Sequence, residues 1–169
     1  SETTNVIADL AKKHEVVIVI GVNEVTKKSQ GTIYNTILTF NEKGQLANHH
    51  RKLMPTFTEK LIHGTGDGNG LQTVDTKFGK LGSLICWEHW MPLARQVMHD
   101  EGEDIHIALW PTVNTAHQLA SRHYAFEGRC IVIAVGQIMQ ASDIHEDLEL
   151  PDYLQNNPAQ YICSGGSCV

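Results

Sequence analysis

The central part of the chain alternates strand patterns with helix patterns, and this order restricts the possible folds more than any other feature. Continuous apolar runs occur at KLGSLICW (80–87), DIHIALWP (104–111) and CIVIAVGQIM (130–139), and runs without polar alternation are typical of strands covered on both faces. Helical patterns separate them at residues 91–101 and 115–129. This order predicts an α/β domain whose sheet is at least partly parallel.

The N-terminal part predicts a helix followed by a small antiparallel sheet. Apolar residues recur at helical spacing in VIADLA (6–11). Strand patterns follow at 16–22 and 32–40, and the turn-forming NEKGQ (41–45) leads into LANHH (46–50). The hairpin formed in this way ends in a short basic segment.

Charge and cysteine content narrow the classes of partner. Lys plus Arg number 13 against 19 Asp plus Glu, for a net charge of -6 without a basic block, which argues against binding to nucleic acid or to an anionic membrane. No apolar run approaches the roughly 20 residues of a membrane-spanning helix, and the start lacks a signal-peptide pattern. The 4 cysteines form neither a CxxC pair nor a dense framework. These features predict a soluble, cytoplasmic protein with reduced thiols.

Cys86 stands where a predicted strand meets a predicted helix. A thiol at such a junction can project into a cleft, close to the free N–H groups of the helix start. Its neighbours Trp87, Glu88 and His89 offer an indole that can exclude water and two ionisable groups. From position alone, a buried strand-end cysteine is the alternative interpretation. Cys86 is the first candidate nucleophile.

Two other patterns do not define a site by themselves. The glycine-rich GTGDGNG at 64–70 lacks the GK[ST] ending of a phosphate-binding loop, and it is either a functional loop or simply an exposed one. His123 and Glu127 are one helical turn apart, but two ligands without a third make a weak metal site. A structural pair on a helix face is the better interpretation.

Four ordered blocks make the chain resemble the nitrilase branch of the carbon–nitrogen hydrolase superfamily. They are HRKLMPTFTE at 50–59, GDGNGL at 66–71, GKLGSLICWEHWMPLAR at 79–95 and ASRHYAFEGRC at 120–130. The resemblance implies a four-layer α-β-β-α sandwich, here a single domain over residues 1–169 that is incomplete at both ends. It also implies a hydrolase with a Glu-Lys-Cys triad and without a metal or another cofactor.

The resemblance assigns roles to three residues. Cys86 in ICWE matches the nucleophile of the family, and Lys52 in HRKLMPT matches its catalytic lysine. Glu59 in PTFTE matches a second active-site glutamate that helps to position the lysine and the substrate.

The general-base glutamate of the family has no counterpart in this chain. In the family it lies before the helix with which this sequence opens, so Glu2 and Glu15 are at the wrong positions, and Glu24 matches a non-catalytic glutamate. We therefore expect the chain to be an internal fragment of a nitrilase.

Further residues are candidates for the oxyanion site and the substrate pocket. The backbone N–H of Trp87 would assist Lys52 in stabilising the negative charge that develops on the substrate. Glu88 and His89 follow the thiol directly in sequence. Trp110 and Thr112 follow a strand that is expected to lie beside the Cys86 strand. For Trp110, a plain core aromatic is an equal alternative.

The predicted reaction is the hydrolysis of a small-molecule nitrile to a carboxylic acid and ammonia through a thioimidate and a thioester. An amidase or a cyanide-converting enzyme would share the triad, and a chain without its base could instead be an inactive scaffold.

Apolar Leu93, Val97 and Phe126 on the predicted helices would be exposed in an isolated chain, so a homo-oligomer is expected.

Overall fold

The fold was analysed in a computed structural model, which describes residues 1–26 and 29–169. Its α-helices are α1 (Glu2–His14), α2 (Pro92–Asp100), α3 (Thr115–Gly128) and α4 (Asp152–Gln155). Its strands are β1 (Ile18–Thr26), β2 (Ser29–Phe40), β3 (Leu46–Arg51), β4 (Val74–Thr76), β5 (Gly79–Ile85), β6 (Ile105–Trp110), β7 (Ile131–Gly136), β8 (Ile138–Gln140) and β9 (Tyr161–Ser164). Single 3-10 turns occur at Phe57–Leu61, Cys86–Trp90 and Ala141–Asp143.

The strands of the described residues form three sheets. The first has the order β1-β2-β3 and is antiparallel. The second has the order β4-β5-β6-β7, in which β4 is antiparallel to β5 while β5, β6 and β7 are mutually parallel. The third is the hairpin β8-β9. The predicted α/β fold with a partly parallel sheet is therefore confirmed.

Helices cover the outer faces of the two larger sheets. In α1, Ala11 is fully buried against Leu38 and Phe40 of β2. On the other side, Met98 of α2 and Tyr124 of α3 are fully buried in the cluster that covers the second sheet. The two sheets face each other across a cavity that is lined from both. The layers therefore follow the predicted order α-β-β-α.

Local sequence signals explain where the helices begin and end. The Ser1 hydroxyl accepts a hydrogen bond from Thr4 N–H, and the Asn114 side chain caps α3 at the N–H groups of Ala116 and His117. Pro92 occupies the first turn of α2, where no backbone donor is needed. The helices α2 and α3 therefore begin within a residue of the predicted positions 91 and 115, whereas α1 begins at Glu2, four residues before its apolar pattern, and α4 was not predicted.

The prediction of one strand over 130–139 is wrong, because the strand is interrupted at Gln137. The strand β7 ends at Gly136, whose position has no room for a side chain: a Cβ there would lie 2.2 Å from the carbonyl oxygen of Gly165. The chain then continues as β8 and pairs with β9. The acidic segment over 141–160 is the mostly exposed excursion between these two strands.

The first strand is longer than predicted. The apolar pattern that predicts this strand ends at Val22. The strand β1 nevertheless continues to Thr26, because residues such as Asn23 and Glu24 pair with Asn35 and Tyr34 of β2. The pairing partner extends the strand where the apolar pattern has already stopped.

Among the described residues, no helix has both the length and the apolar character needed to cross a membrane.

Candidate active site

Cys86 occupies a sharp bend between β5 and the following 3-10 turn. Its φ is 50°, in the left-handed region that residues with a side chain rarely adopt. The carbonyl oxygen of Cys86 lies 2.8 Å from His89 Nδ1, and the backbone N–H of Trp87 donates to the thiol. Unfavourable backbone conformations of this kind concentrate at functional sites. The half-buried thiol is thereby aimed into the cavity between the sheets.

Lys52 follows directly after β3 and is 1% exposed. Its Nζ donates to Glu59 Oε2 at 2.6 Å and to Thr56 Oγ1 at 3.0 Å. Its backbone N–H donates to the Asn35 carbonyl at 2.8 Å. A buried ammonium requires a charged partner and hydrogen-bond acceptors. Glu59 supplies the opposite charge, and Glu59 and Thr56 accept from Lys52 Nζ.

Glu59 lies in the 3-10 turn Phe57–Leu61 and is the partner that Lys52 requires. Its carboxylate also accepts from the Thr56 backbone N–H at 2.6 Å and from Asn35 Nδ2 at 3.3 Å. Burial by itself would raise the pKa of Glu59, but the hydrogen bonds and the charge of Lys52 outweigh it, so the pKa lies below its ordinary value. The group is therefore a carboxylate at neutral pH, and all its neighbours favour that form.

A cavity of about 420 Å³ lies between the two larger sheets, and Lys52 is not in its lining but is bonded to Glu59, which is. Glu59 and Cys86 line it, and the first sheet contributes side chains from β1 and β2 while the second contributes the ends of β5 and β6. The complete lining consists of Gly21, Val22, Asn23, Asn35, Thr36, Glu59, Ile85, Cys86, Leu109, Trp110, Pro111 and Gln137. Among the described residues, Glu59 is the acidic side chain in this lining.

The environment of Cys86 works against a resting thiolate. Burial raises the pKa of the thiol, and this outweighs the charge of Lys52 and the hydrogen bond from the Trp87 N–H, both of which lower it. The nearby carboxylates of Glu59 and Glu88 raise it further. Because only the thiolate is a strong nucleophile, Cys86 could act as a nucleophile only with a base that accepts its proton at the moment of attack.

Glu88 does not line the cavity, and the prediction of a substrate-binding role is not supported by its position. The side chain is fully buried, and its two oxygens accept hydrogen bonds of 2.7 Å from the backbone N–H groups of Leu53 and Ile85. His50 Nε2 lies 3.0 Å from both oxygens. Glu88 therefore joins the segment that follows Lys52 to the residue that precedes Cys86.

His89 also points away from the cavity. It is 2% exposed, and its ring packs on Trp110 with a centroid distance of 4.5 Å and on His106 at 5.1 Å. His89 is not in the cavity lining, so its position does not support the expected role beside the substrate.

The remaining candidates are divided between the cavity and its surroundings. Trp110 lines the cavity, while its indole N–H donates to Ser121 Oγ at 3.2 Å in the core. Thr112 is not in the cavity lining, and its hydroxyl lies 3.1 Å from Ser164 Oγ. The Trp87 indole is half exposed, packs on Trp90 and is not in the cavity lining.

Three amide side chains in the lining were not predicted as site residues. Asn35 donates to Glu59, Asn23 Oδ1 lies 3.0 Å from His63 Nε2, and Gln137 lies where the predicted strand breaks. Asn23 and Asn35 pair directly across β1 and β2. Polar residues opposite each other near the ends of two apolar strands are the signal that could have revealed them.

The glycine-rich segment supports the backbone around Lys52. At Gly66, a Cβ would lie 2.2 Å from the Arg51 carbonyl oxygen, and the Gly66 N–H donates to the Lys52 carbonyl at 2.8 Å. At Gly70, a Cβ would lie 2.4 Å from the Cα of His50. The glycines are required because this loop packs directly on the backbone of β3.

The histidine-rich composition does not produce a metal centre in the described part of the chain, where no group of three or more His, Cys, Asp or Glu is arranged to hold a metal ion. His123 Nδ1 lies 4.0 Å from Glu127 Oε2. The stronger partner of Glu127 is Arg95, at 2.7 Å. His49 and His50, as expected for neighbours in a strand, have different partners, Glu24 and Glu88.

Comparison with known proteins agrees with this architecture. The model of the carbon-nitrogen hydrolase family matches residues 1–169. An aliphatic nitrilase of Sinorhizobium fredii is 38% identical over 168 residues, which are 98% of this chain and 52% of that protein. Nitrilase 1 of Arabidopsis thaliana is 37% identical over 165 residues, and a bifunctional nitrilase/nitrile hydratase of Nicotiana tabacum is 35% identical over 168 residues. Each of these two matches covers 96% of this chain and 47% of the relative.

Solved structures show the same fold. A carbon-nitrogen hydrolase from Helicobacter pylori superposes with a TM-score of 0.74 at 23% identity, over 98% of this chain and 59% of that one. Nit3 of Saccharomyces cerevisiae, a member of branch 10 of the nitrilase superfamily, gives 0.69 at 28% identity, over 79% of this chain and 50% of that one. The chain spans about half the length of the curated relatives it matches. It belongs to the carbon–nitrogen hydrolase family.

Proposed function

We propose that this chain carries the nucleophile and the lysine of a nitrilase, which converts an organic nitrile to a carboxylic acid and ammonia. The observation that supports this most directly is the cavity that Cys86 and Glu59 line together, with Glu59 bonded to the buried ammonium of Lys52. Relatives named as nitrilases at 35% to 38% identity support the same class of substrate.

In the proposed first step, the Cys86 sulfur attacks the nitrile carbon after its proton has passed to a base. A carbon–sulfur bond forms, one bond of the C≡N group opens, and the nitrogen takes up a proton to give a thioimidate. Lys52 is suited to stabilise and protonate this nitrogen, and the Trp87 N–H adds a second donor near the sulfur.

The later steps consume two waters. The first adds to the thioimidate carbon, and ammonia leaves when the carbon–nitrogen bond breaks, which produces a thioester on Cys86. The second hydrolyses the thioester, releases the carboxylic acid and restores the thiol. Asn23, Asn35 and Gln137 place amide groups in the cavity, where they can orient the substrate or these waters.

Glu59 is proposed as the residue that positions Lys52 rather than as the base. Its carboxylate already accepts from Lys52, Thr56 and Asn35, and its pKa is lowered by these partners in spite of burial. A weakly basic carboxylate is a poor acceptor for the proton of a thiol whose own pKa is raised by burial. We propose that the base that accepts the Cys86 proton lies in a part of the protein that corresponds to the half of the relatives not matched by this chain.

The test is ammonia release from a panel of aliphatic and aromatic nitriles, with the 169-residue chain and with the protein at its natural length. General-base assistance contributes roughly 10²- to 10⁴-fold, so we expect turnover at natural length and little or none from the chain alone. Cys86→Ala and Lys52→Ala should abolish it. Full activity of Cys86→Ala would refute the mechanism. Normal turnover by the chain alone would mean that a residue of this chain, with Glu59 the first candidate, acts as the base.

The product should be identified as well as counted. One relative is named a bifunctional nitrilase/nitrile hydratase, so the amide is the second product to measure. Chromatography of the reaction mixture distinguishes release of the amide, in which the C–N bond is kept, from release of the acid with ammonia. An inactive scaffold would give neither product.

We also propose that the protein is a homo-oligomer. The outward faces of α2 and α3 carry large apolar side chains, with Leu93 82%, Leu119 71% and Phe126 86% exposed, and surfaces of this kind mark association sites. Analytical ultracentrifugation at micromolar concentration should give a dimer or a larger species. A clean monomer would contradict the proposal.

A further inference from the structure

A chain of buried hydrogen bonds runs from the backbone of Cys86 into the core beneath the second sheet. His89 Nδ1 lies 2.8 Å from the Cys86 carbonyl oxygen, and His89 Nε2 lies 3.0 Å from His106 Nε2. His106 Nδ1 lies 2.7 Å from Glu103 Oε2. The three side chains are between 0% and 6% exposed. None of them lines the cavity, and the reaction described above uses none of them directly.

The chemistry of the partners fixes the direction of these hydrogen bonds. A carbonyl oxygen only accepts, so His89 Nδ1 carries a hydrogen. Burial, together with the charge of His106, lowers the pKa of His89 well below its ordinary value, so the ring is neutral and its Nε2 is an acceptor. His106 Nε2 must therefore be the donor between the two rings.

The far end of the chain is anchored in the same way. His106 Nδ1 is hydrogen-bonded to Glu103 Oε2, and the other Glu103 oxygen accepts from the hydroxyl of Tyr124. His99 Nδ1 lies 3.5 Å from that second oxygen. At Gly82 a Cβ would lie 2.0 Å from Glu103 Oε2, so the strand leaves room for the carboxyl group. Glu103 is therefore held by several elements and can orient His106.

We propose that His89, His106 and Glu103 are a positioning relay that holds the Cys86 backbone in the conformation that presents the thiol. The inference rests on the proposed function, because it treats Cys86 as the nucleophile. A φ of 50° is unfavourable for cysteine, and the bond from His89 to the Cys86 carbonyl stabilises it. In the other tautomer, a lone pair of His89 would face the carbonyl oxygen and the bond would be lost.

Two matched variants of His89 separate positioning from packing. In His89→Asn the amide nitrogen takes the place of Nδ1 and can still donate to the Cys86 carbonyl. In His89→Gln the amide oxygen can take the place of Nε2 and accept from His106 Nε2, but no donor takes the place of Nδ1 at the Cys86 carbonyl. Misplacement of a reacting group by about 1 Å costs about 10²-fold in rate. At natural length, we expect kcat to fall about 10²-fold in His89→Gln, with an unchanged KM, and only a few-fold in His89→Asn.

The same comparison distinguishes the two proposals. If the natural-length protein releases ammonia and both variants lose kcat equally, the relay is refuted and the proposed function stands. If the unsubstituted protein at natural length releases neither ammonia nor amide, the proposed function fails on its own. Retention of full kcat in His89→Gln would also overturn the relay.

Nitrogen-15 NMR of the histidine side chains tests the relay without any variant at His89, so a failure of those variants to fold would not decide the question. We expect His89 in the form with hydrogen on Nδ1 and none on Nε2. In His106→Met, which cannot donate, the His89 signals should shift towards a mixture of both tautomers. His89 with its hydrogen on Nε2 in the unsubstituted protein would overturn the inference.

Discussion

Lys52 Nζ lies 2.6 Å from Glu59 Oε2, although the Lys52 side chain is almost completely buried while that of Glu59 is one-third exposed. The pair is therefore asymmetric. The buried Lys52 side chain has Glu59 as its oppositely charged partner and little access to solvent, whereas water can partly take the place of Lys52 at the Glu59 carboxylate. This asymmetry makes Glu59 a positioning partner in our account.

Substitution Glu59→Gln tests that role. The amide keeps the size of the side chain but removes the charge that holds the ammonium in place, so we expect kcat at natural length to fall by about 10² or more, as when a charge-stabilising group is displaced. Stopped assays of ammonia over time provide the measurement. Thr58→Ala, in the same 3-10 turn, serves as the control, and equal activity in both variants would contradict the role assigned to Glu59.

Substitution Glu88→Ala should be among the most destabilising changes in the chain. It leaves the backbone N–H groups of Leu53 and Ile85 without partners and His50 without its carboxylate. A buried donor left without its acceptor costs about 1 to 3 kcal/mol, and urea denaturation should report a loss of that order or larger. The exposed Glu146→Ala should change the free energy of unfolding by less than about 0.5 kcal/mol. A similar small change in both variants would mean that Glu88 does not join the two segments.

Stability should fall with acidification because of Glu24. The hydrogen bond from Arg51 lowers the pKa of Glu24 to about 2 against the opposing effect of burial, with further help from His49 and Thr36. A folded-state pKa below the unfolded one stabilises the protein above the unfolded pKa, and the gain is lost as the pH falls towards 2. Because Glu24 is partly exposed, screening by solvent reduces its contribution to the free energy of unfolding to about 1 to 2 kcal/mol.

Urea unfolding at neutral and acidic pH measures this contribution. In Glu24→Gln the stability lost between neutral pH and pH 3 should be smaller than in the unsubstituted chain. The exposed Glu146→Gln should leave the pH dependence as it is. An identical dependence in Glu24→Gln would show that the ion pair with Arg51 does not contribute to stability.

Gly82→Ala should disturb the core around Glu103. The added methyl group would meet Glu103 Oε2 at 2.0 Å and Met98 Cε at 2.7 Å, and overpacking of this kind costs about 1 to 3 kcal/mol. Gly31→Ala is the matched control, because nothing lies within 4 Å of a Cβ at that position. Thermal unfolding should show a lower midpoint for Gly82→Ala only. Equal midpoints would contradict the close packing of Glu103 against β5.

Much of the fold could be predicted because its signals are local. The uninterrupted apolar runs around Ile107 and Ile133 mark strands of the second sheet, and the helical pattern over 115–129 marks α3. The break after Gly136 could not be predicted, since its cause is the backbone of Gly165, which approaches from far along the chain.

The candidate site was predictable only in part for the same reason. Cys86, Lys52 and Glu59 were identified through motifs. The contacts of Glu88 with Leu53 and of His89 with His106 join residues 35 and 17 positions apart. Proximity in sequence suggested that both side chains face the substrate, but the sharp bend at Cys86 turns them into the core.

The most direct test of the central claim is a mass measurement of Cys86 during turnover. The protein at natural length is mixed with an excess of a nitrile that it hydrolyses, quenched in acid within the first turnovers and digested, and the peptide that contains Cys86 is weighed. We predict an added mass equal to the thioimidate or the acyl group of that nitrile, on Cys86 and absent from Cys86→Ala. Ammonia release without an adduct, at an undiminished rate in Cys86→Ala, would contradict the account.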